Sequence, residues 1–363
     1  MKIIFIIPNM TGGGTERVIS LLSDEYVKKG FDVAVMQFAG YEHAYPLNDK
    51  VEDFSVAPRS NGNPLVMIRR LAAMRRYFKK NPDSHIFAFC VMGAVFAVMT
   101  TWGMQIPIMV AERNSPDSCN VKALRNWAYR RAGRITFQTA DGISYFPKEI
   151  AGKAVVIPNP VDADMPQPYT GSRSHRIVTA GRLHKQKNHA LLLEAFALFS
   201  KKFPDYELHI YGEGELETRL KEQAARLQID GHTVWHGFCA DVREEIRDAA
   251  MFVLSSDYEG ISNSMLEALS MGIPTISTDC PIGGARIYIV PEESGLLVPV
   301  GDKEAMAEAM CRIASDEQLA ERLSAGAVQI REKYSVQRIA DRFLEAAGIV
   351  SGPEKTTAAG KQR

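Results

Sequence analysis

Val155-Val156-Ile157-Pro158-Asn159-Pro160-Val161-Asp162 interrupts an otherwise regular chain, and the turn-forming and polar residues from Pro166 to Ser174 prolong the interruption. Proline fixes φ, removes a backbone donor and restricts the residue before it, so neither a helix nor a central strand runs through such a stretch. On both sides of it the pattern is the same. Before it, an apolar run (Ile3 to Pro8), a helical pattern (Glu16 to Lys29) and a second run (Asp32 to Phe38) follow one another. After it, Arg176 to Ala180 restarts as a strand, Asn188 to Lys202 has helical periodicity ending before Pro204, and Glu207 to Tyr211 is again a strand. Alternation of this kind marks parallel α/β layers. The interruption therefore reads as a linker between two Rossmann-like, doubly wound units facing each other across a cleft. This reading gives a first unit over residues 1–160 and a second over 161–335. An amphipathic helix over 336–349 (Val336, Ile339, Phe343 and Leu344 on one side) packs back on the first unit, and the tail over 351–363 has the composition of a disordered segment.

The composition fits two globular units: of 363 residues, 46% are hydrophobic and 24% charged. Net charge is zero, but basic residues number 20 against 15 acidic up to position 165, and 23 against 28 beyond it. A modest basic excess confined to one half suits an anionic ligand or surface there and argues against nucleic acid as a partner. The five cysteines (Cys90, Cys119, Cys239, Cys280, Cys311) are scattered without a C-x-x-C pair, which argues against a disulfide framework and a zinc site and fits a reducing compartment. Ile86 to Ala111 carries no charge and is long enough to span a bilayer. Gly103, Gln105 and Pro107 divide it, and the segment reads as a strand (86–90), a helix (94–101) and a second strand (108–111) buried on both faces.

Three places carry chemistry. The loop Asn9-Met10-Thr11-Gly12-Gly13-Gly14-Thr15-Glu16-Arg17 joins the first strand to the first helix, where glycines let backbone amides approach an anion. Ordinary turn chemistry explains it equally well, and the spacing is not that of nicotinamide-cofactor folds. Gly181-Arg182-Leu183 follows a strand, and Lys187 precedes the next helix. Two cations there can hold a diphosphate and stabilise its charge as it leaves; two surface cations at a helix start is the alternative. The third place is Asp257-Tyr258-Glu259-Gly260-Ile261-Ser262-Asn263-Ser264-Met265-Leu266-Glu267, a loop running into a helix. Its two carboxylates can both face a ligand, and carboxylates suit sugar hydroxyls because they accept two hydrogen bonds. A loop glutamate and an exposed helix glutamate would look the same.

Together these pieces resemble the retaining GT-B glycosyltransferases of family GT4. Glu259 and Glu267 match the family's E-x7-E pattern, Gly181-Arg182-Leu183 with Lys187 its G-R-L-x-x-x-K element, Gly13 to Val18 its G-G-x-E-R-V loop, and Ile157 to Asp162 its I-P-N-P-V-D segment. The resemblance runs from residue 1 to about 345 and implies that the first unit faces the acceptor and the second holds a nucleotide-sugar donor. It implies that Arg182 and Lys187 bind the diphosphate, that Glu267 holds the ribose and Glu259 the transferred sugar, and that Glu259, Arg182 and Lys187 carry catalysis. Gly13, Gly14, Gly260, Ile261, Ser262 and Asn263 would line the donor, the last three through their backbone. Val234 to Phe238 resembles the strand and loop that meet the nucleobase, with the Gly212-Glu213-Gly214 loop beside it.

The chain also departs from the pattern. Ala111-Glu112-Arg113-Asn114-Ser115-Pro116 has arginine where many members have histidine, and resembles the E-R-N-x-P subset of exopolysaccharide, capsule and O-antigen transferases. In Cys280-Pro281-Ile282-Gly283-Gly284-Ala285-Arg286-Ile287, Gly284 and Arg286 replace a common proline and glutamate. Asp162-Ala163-Asp164 has the form of a metal-binding D-x-D, but it lies in the linker rather than at a strand end, so no metal and no cofactor are expected.

The expected activity is metal-free transfer, with retention, of a hexose or N-acetylhexosamine from a nucleotide diphosphate, with UDP preferred, to a polyprenyl-diphosphate-linked saccharide. A sugar-nucleotide epimerase or hydrolase, and a scaffold without activity, remain as alternatives. Leu65 to Lys80 places Met67, Leu71, Met74 and Phe78 on one helical stripe beside six cations, and Lys122 to Arg134 adds Trp127 and Tyr129. Either the first unit rests through these helices on the inner face of the cytoplasmic membrane, or the stripe packs on the sheet with its cations solvated. The resemblance favours the membrane, on an otherwise cytoplasmic protein.

Overall fold

The computed structural model describes residues 1–11, 13–41, 43–56, 64–113, 119–239 and 241–349. Its first strand, β1 (Lys2–Ile7), explains the opening apolar run: Ile3 to Ile7 are all buried, as a strand covered on both faces requires. It lies at the centre of a sheet, with Phe5 in register with Val35 on one side and Phe87 on the other. The first unit continues through α1 (Gly14–Lys28), β2 (Asp32–Gln37), β3 (Glu52–Ser55), α2 (Pro64–Lys80), β4 (Ser84–Phe89), α3 (Val91–Thr100) and β5 (Ile108–Glu112). α4 (Lys122–Arg131), β6 (Arg134–Phe137), α5 (Lys148–Ala151) and β7 (Ala154–Val156) complete it. Its parallel sheet has the order β3-β2-β1-β4-β5-β6-β7.

The second unit runs β8 (Ser174–Ala180), α6 (His189–Phe199), β9 (Glu207–Tyr211), α7 (Glu217–Arg226), β10 (Thr233–Gly237) and α8 (Arg243–Ile246). It ends with β11 (Ala249–Leu254), α9 (Asn263–Ser270), β12 (Thr275–Thr278), α10 (Gly284–Tyr288), β13 (Leu296–Val298) and further helices. Its sheet order is β10-β9-β8-β11-β12-β13. Both sheets reverse winding direction beside their first strand, at β1/β4 and at β8/β11. In open α/β sheets the ligand crevice lies at that reversal, beyond the C-terminal strand ends.

The uncharged stretch from Ile86 to Ala111 is divided between β4, α3 and β5, and among the described residues no helix is long and apolar enough to cross a membrane. Val155 and Val156, read above as linker, belong instead to β7, which pairs with β6 at the sheet edge. Even Ile157 donates its N–H to the Phe137 carbonyl (2.8 Å), so the ladder ends only where Pro158 removes the next donor. The apolar stripe on α2 faces inward: Met74 and Phe78 are fully buried and Leu71 partly so, while Met67 is exposed. Leu65, Ile68, Arg69 and Arg76 form the outward face.

The last helix, Val336–Ala346, returns to the first unit. Phe343 lies over Phe87 and Phe89, with ring centroids 6.3 and 6.2 Å away, and the Tyr26 hydroxyl donates to the Ala340 carbonyl (3.2 Å). Lys29 pairs with Asp341 at 2.9 Å. The expected disordered tail over 351–363 lies outside the described residues, as do Gly12 and Asn114 to Pro116.

Candidate active site

The chemistry-bearing residues gather at the two winding reversals. Gly13 and Gly14 follow β1, Arg182 to Lys187 follow β8, and Glu259 to Glu267 follow β11. The first and third segments meet across the cleft, where the Asn263 side-chain amide donates to the Gly14 carbonyl at 3.3 Å.

Lys187 and Glu259 are joined directly, Nζ to Oε2 at 2.7 Å, with side chains only 16% and 14% exposed. Ser256 Oγ donates to the same carboxylate oxygen (3.1 Å) and Gln186 Nε2 to the other (3.3 Å). The loops that carry the pair are pinned together: the Asp257 N–H donates to the Gln186 carbonyl (2.9 Å) and Asn188 Nδ2 to the Asp257 carboxylate (2.6 Å). Asn188 has φ +44°, an αL conformation that asparagine tolerates, and its side chain caps α6 by accepting from the Leu191 N–H. A cation and a carboxylate assigned to different parts of one ligand thus neutralise each other here. Arg182 is exposed, and its charge reaches Glu16 on α1. Burial raises the Glu16 carboxyl above its usual range, while the Glu16 and Gly13 amides and Arg182 hold it down.

Glu267 sits in a separate ionic cluster spanning both units. Arg17, from the first turn of α1, approaches Glu267 Oε1 at 3.3 Å and Asp162 Oδ2 at 3.1 Å. Arg243 of α8 reaches the same Asp162 oxygen at 3.4 Å and pairs with Asp241 at 2.5 Å. Burial holds the Glu267 carboxyl above its usual range, and Arg17 and Arg243 offset this only in part. Asp162 therefore serves two arginines, while its other oxygen accepts from the Asp164 N–H (3.1 Å), which gives the D-x-D of the linker an ionic and turn-forming role.

At the far end of the cleft Phe238 is 73% exposed, and its N–H donates to Glu213 (3.1 Å). Gly212 has φ +138°, and a Cβ there would lie 2.1 Å from the Gly181 carbonyl, so only glycine lets this loop rest on the Arg182 loop. Gly260 answers to space rather than φ: a Cβ would come within 2.5 Å of Gln138 in the first unit. Asn263 takes part through its side chain as well as its place in the backbone. Arg286 bridges its neighbour Asp279 and, across the cleft, Asp141 (3.3 Å). Arg113 turns toward the linker and donates to Asn159.

Arg17, Asn159, Gln186, Arg243 and Ser256 were not singled out from sequence. Arg17 and Asn159 stood inside quoted motifs, and their spacing to the glycines and prolines was the available signal. Arg243 offered none, because only the tertiary fold brings it to Asp162. Among the described residues no group of three or more His, Cys, Asp or Glu side chains could hold a metal ion.

A family profile for glycosyl transferases group 1 matches residues 162–329, and one for glycosyltransferase family 4 matches residues 12–165. The amylovoran biosynthesis glycosyltransferase AmsD of Erwinia amylovora is 23% identical over 358 residues, covering 94% of this chain and 98% of its own. A Campylobacter jejuni α-1,4-N-acetyl-D-galactosaminyltransferase, named for a GalNAc-GalNAc-diNAcBac-PP-undecaprenol acceptor, is 23% identical over 359 residues, 95% of this chain and 98% of its own. Among solved structures, HepE of Anabaena superposes with a TM-score of 0.80 at 18% identity, covering 96% of this chain and all of HepE. With both halves matched in order and a winding reversal in each of the two sheets, the chain belongs to the GT-B glycosyltransferases of family GT4.

Proposed function

We propose that the chain transfers a hexose or N-acetylhexosamine, with retention and without a metal ion, from a UDP-sugar to a polyprenyl-diphosphate-linked saccharide. The observation that carries this reading is the convergence of Arg182, Lys187, Glu259 and Glu267 at the reversal point of the second sheet, opposite the Gly13–Gly14 loop. Support for UDP comes from HepE, which was solved with UDP and with UDP-glucose. The lipid-linked acceptor is supported by the undecaprenol in the name of the Campylobacter relative, and the α-linked product by the same name.

In this scheme the diphosphate displaces Glu259 from Lys187. Lys187 and Arg182 then hold the charge that grows on the departing β-phosphate, an interaction worth most in the transition state. Glu259, released from the cation but still held by Ser256 and Gln186, turns its carboxylate to the hydroxyls of the transferred sugar. Glu267 holds the ribose hydroxyls, and the first-turn amides of α9 face the phosphates. Attack from the leaving-group face, with the departing phosphate oxygen taking the acceptor proton, needs no enzymatic nucleophile. The first unit presents the acceptor, and domain closure completes the site.

We place that first unit on the inner face of the cytoplasmic membrane. Supporting this are the outward face of α2 and the exposed Trp102 (61%), with Arg131 lying over the Trp102 and Trp127 rings at 5.4 and 4.8 Å. Each cation near an anionic surface adds on the order of 1 kcal/mol. Co-sedimentation with anionic vesicles at low salt should retain the protein, and neutral vesicles should not.

The decisive experiment is turnover of UDP-hexoses, UDP-N-acetylhexosamines and GDP-mannose, with and without a polyprenyl-diphosphate saccharide. Acceptor-dependent release of UDP with an α-linked product is the expected result. Free or epimerised sugar without acceptor would mean a hydrolase or epimerase, and absence of donor binding a scaffold.

A further inference from the structure

Asn159 lies in the linker, 1% exposed, with its side-chain oxygen, side-chain nitrogen and backbone carbonyl all engaged. Its Oδ1 accepts from Arg113 and from Gln138 Nε2 (2.8 Å), both at strand ends of the first unit. Its Nδ2 donates to Asn263 Oδ1 (2.9 Å), on the first residue of α9. Asn263 Nδ2 in turn donates to the Gly14 carbonyl (3.3 Å), and the Tyr288 hydroxyl fixes the Asn159 backbone carbonyl (3.0 Å). The relay thus leaves the first unit, crosses the linker, touches the second unit and comes back to the first.

Its direction is forced. Arginine carries donors only, so Asn159 must present oxygen to Arg113 and nitrogen to Asn263. Asn263 must then accept with oxygen, which leaves nitrogen for the Gly14 carbonyl. One buried guanidinium sets the orientation of two amides and ends on the glycine-rich loop. The contact is close as well as polar, because a Cβ on Gly260 would lie 2.5 Å from the side-chain oxygen of Gln138.

We propose that Asn159 is a positioning residue for glycosyl transfer: through Asn263 it holds the first turn of α9 against the Gly14 loop, so that the donor loop 259–263 is correctly set only when the cleft is shut. This rests on the donor site proposed above. Opening the cleft breaks the Asn263 bonds to Asn159 and to Gly14 together, so the relay acts as a latch on the closed form. It binds no substrate itself, and its effect belongs to the step after donor docking.

Asn159→Asp tests this without removing Arg113's partner. The aspartate still accepts from Arg113 and Gln138, but it can no longer donate to Asn263. If Asn263 flips to compensate, its oxygen meets the Gly14 carbonyl, so the mismatch travels rather than disappearing. The expected result is a wild-type or higher melting temperature, kcat reduced about tenfold to hundredfold, the scale of losing buried hydrogen bonds, and a UDP dissociation constant within about threefold of wild type. Asn263→Ala should lose a similar factor, and the double variant no more than the larger single loss, since both cut one relay. Small-angle scattering should show Asn159→Asp more open than wild type with UDP bound. Multiplicative losses in the double variant, or unchanged kcat and scattering in Asn159→Asp, would overturn the proposal. If wild type turns over no donor, the functional reading fails on its own, and scattering alone decides the latch.

Discussion

Arg17 is the most informative single perturbation, because it joins the first unit to a carboxylate assigned to the ribose. At 3.3 Å from Glu267 Oε1, a full unit pair at an effective dielectric of about 20 attracts by about 5 kcal/mol, an upper bound. Arg243 remains nearby, both side chains are 17% exposed, and water enters the gap left by a truncation. Roughly 1–2 kcal/mol of lost support for the ionised carboxylate is the realistic scale, or about 5- to 30-fold in donor affinity. Arg17→Ala should therefore weaken UDP binding by that factor. It should also make binding improve as pH rises, since burial favours the protonated Glu267 and Arg17 opposes it. Arg17→Lys should fall between the two. Titration calorimetry with UDP from pH 6 to pH 8.5 measures both effects. Tighter binding in Arg17→Ala would mean that Arg17 competes with the ribose instead of steadying its acceptor. An unchanged affinity and pH profile would remove Arg17 from the site altogether.

Lys187→Ala and Arg182→Ala should each cost about 10² or more in kcat/KM while the fold survives, and normal turnover by either would disprove the diphosphate clamp. Glu259→Ala should impair transfer more than UDP binding, and Glu267→Ala the reverse; equal effects on both quantities would erase the division of roles. Excess EDTA should leave transfer untouched, whereas loss restored by Mg²⁺ or Mn²⁺ would contradict a metal-free reaction. His189 is pushed down to about 4 by burial, with Lys187 adding to it. Its folded form resists protonation, so stability should fall as pH drops from about 6.5 toward 4, by up to about 3 kcal/mol. Denaturant midpoints at pH 7 and pH 4.5 should show a smaller drop for His189→Leu than for wild type, and parallel drops would show that His189 does not titrate this way.

The fold was legible wherever a strand was buried on both faces. Ile3–Ile7 and Ile86–Phe89 are dense apolar runs flanked by helical periodicity, and period and composition agree. β3 escaped because it is an edge strand stabilised by polar partners, with Glu52 held by Lys2 and Asp53 by Gln37. β7 escaped because its three residues merge with the prolines that follow. At the site, motifs located the loops but not their partners. Lys187 and Glu259 are far apart in the chain, and nothing in either segment announces a 2.7 Å ion pair. Arg286, a departure from the family pattern, became intelligible only beside Asp141 of the other unit.

The return of the last helix carries a consequence for biosynthesis. Phe5, Phe87 and Phe89 share one apolar cluster with Ile339 and Phe343, so the half of the protein made first cannot finish its core until the C-terminal segment has left the ribosome. One cluster of the second unit, from Ile177 to Leu323, includes no residue of the first unit among those described and can form earlier. At about 5–20 residues per second, the aromatic surface of the nascent first half stays uncovered for on the order of ten to forty seconds. A chain truncated before Val336 should therefore emerge with that one cluster of the second half formed and with the aromatic surface of its first half open to aggregation.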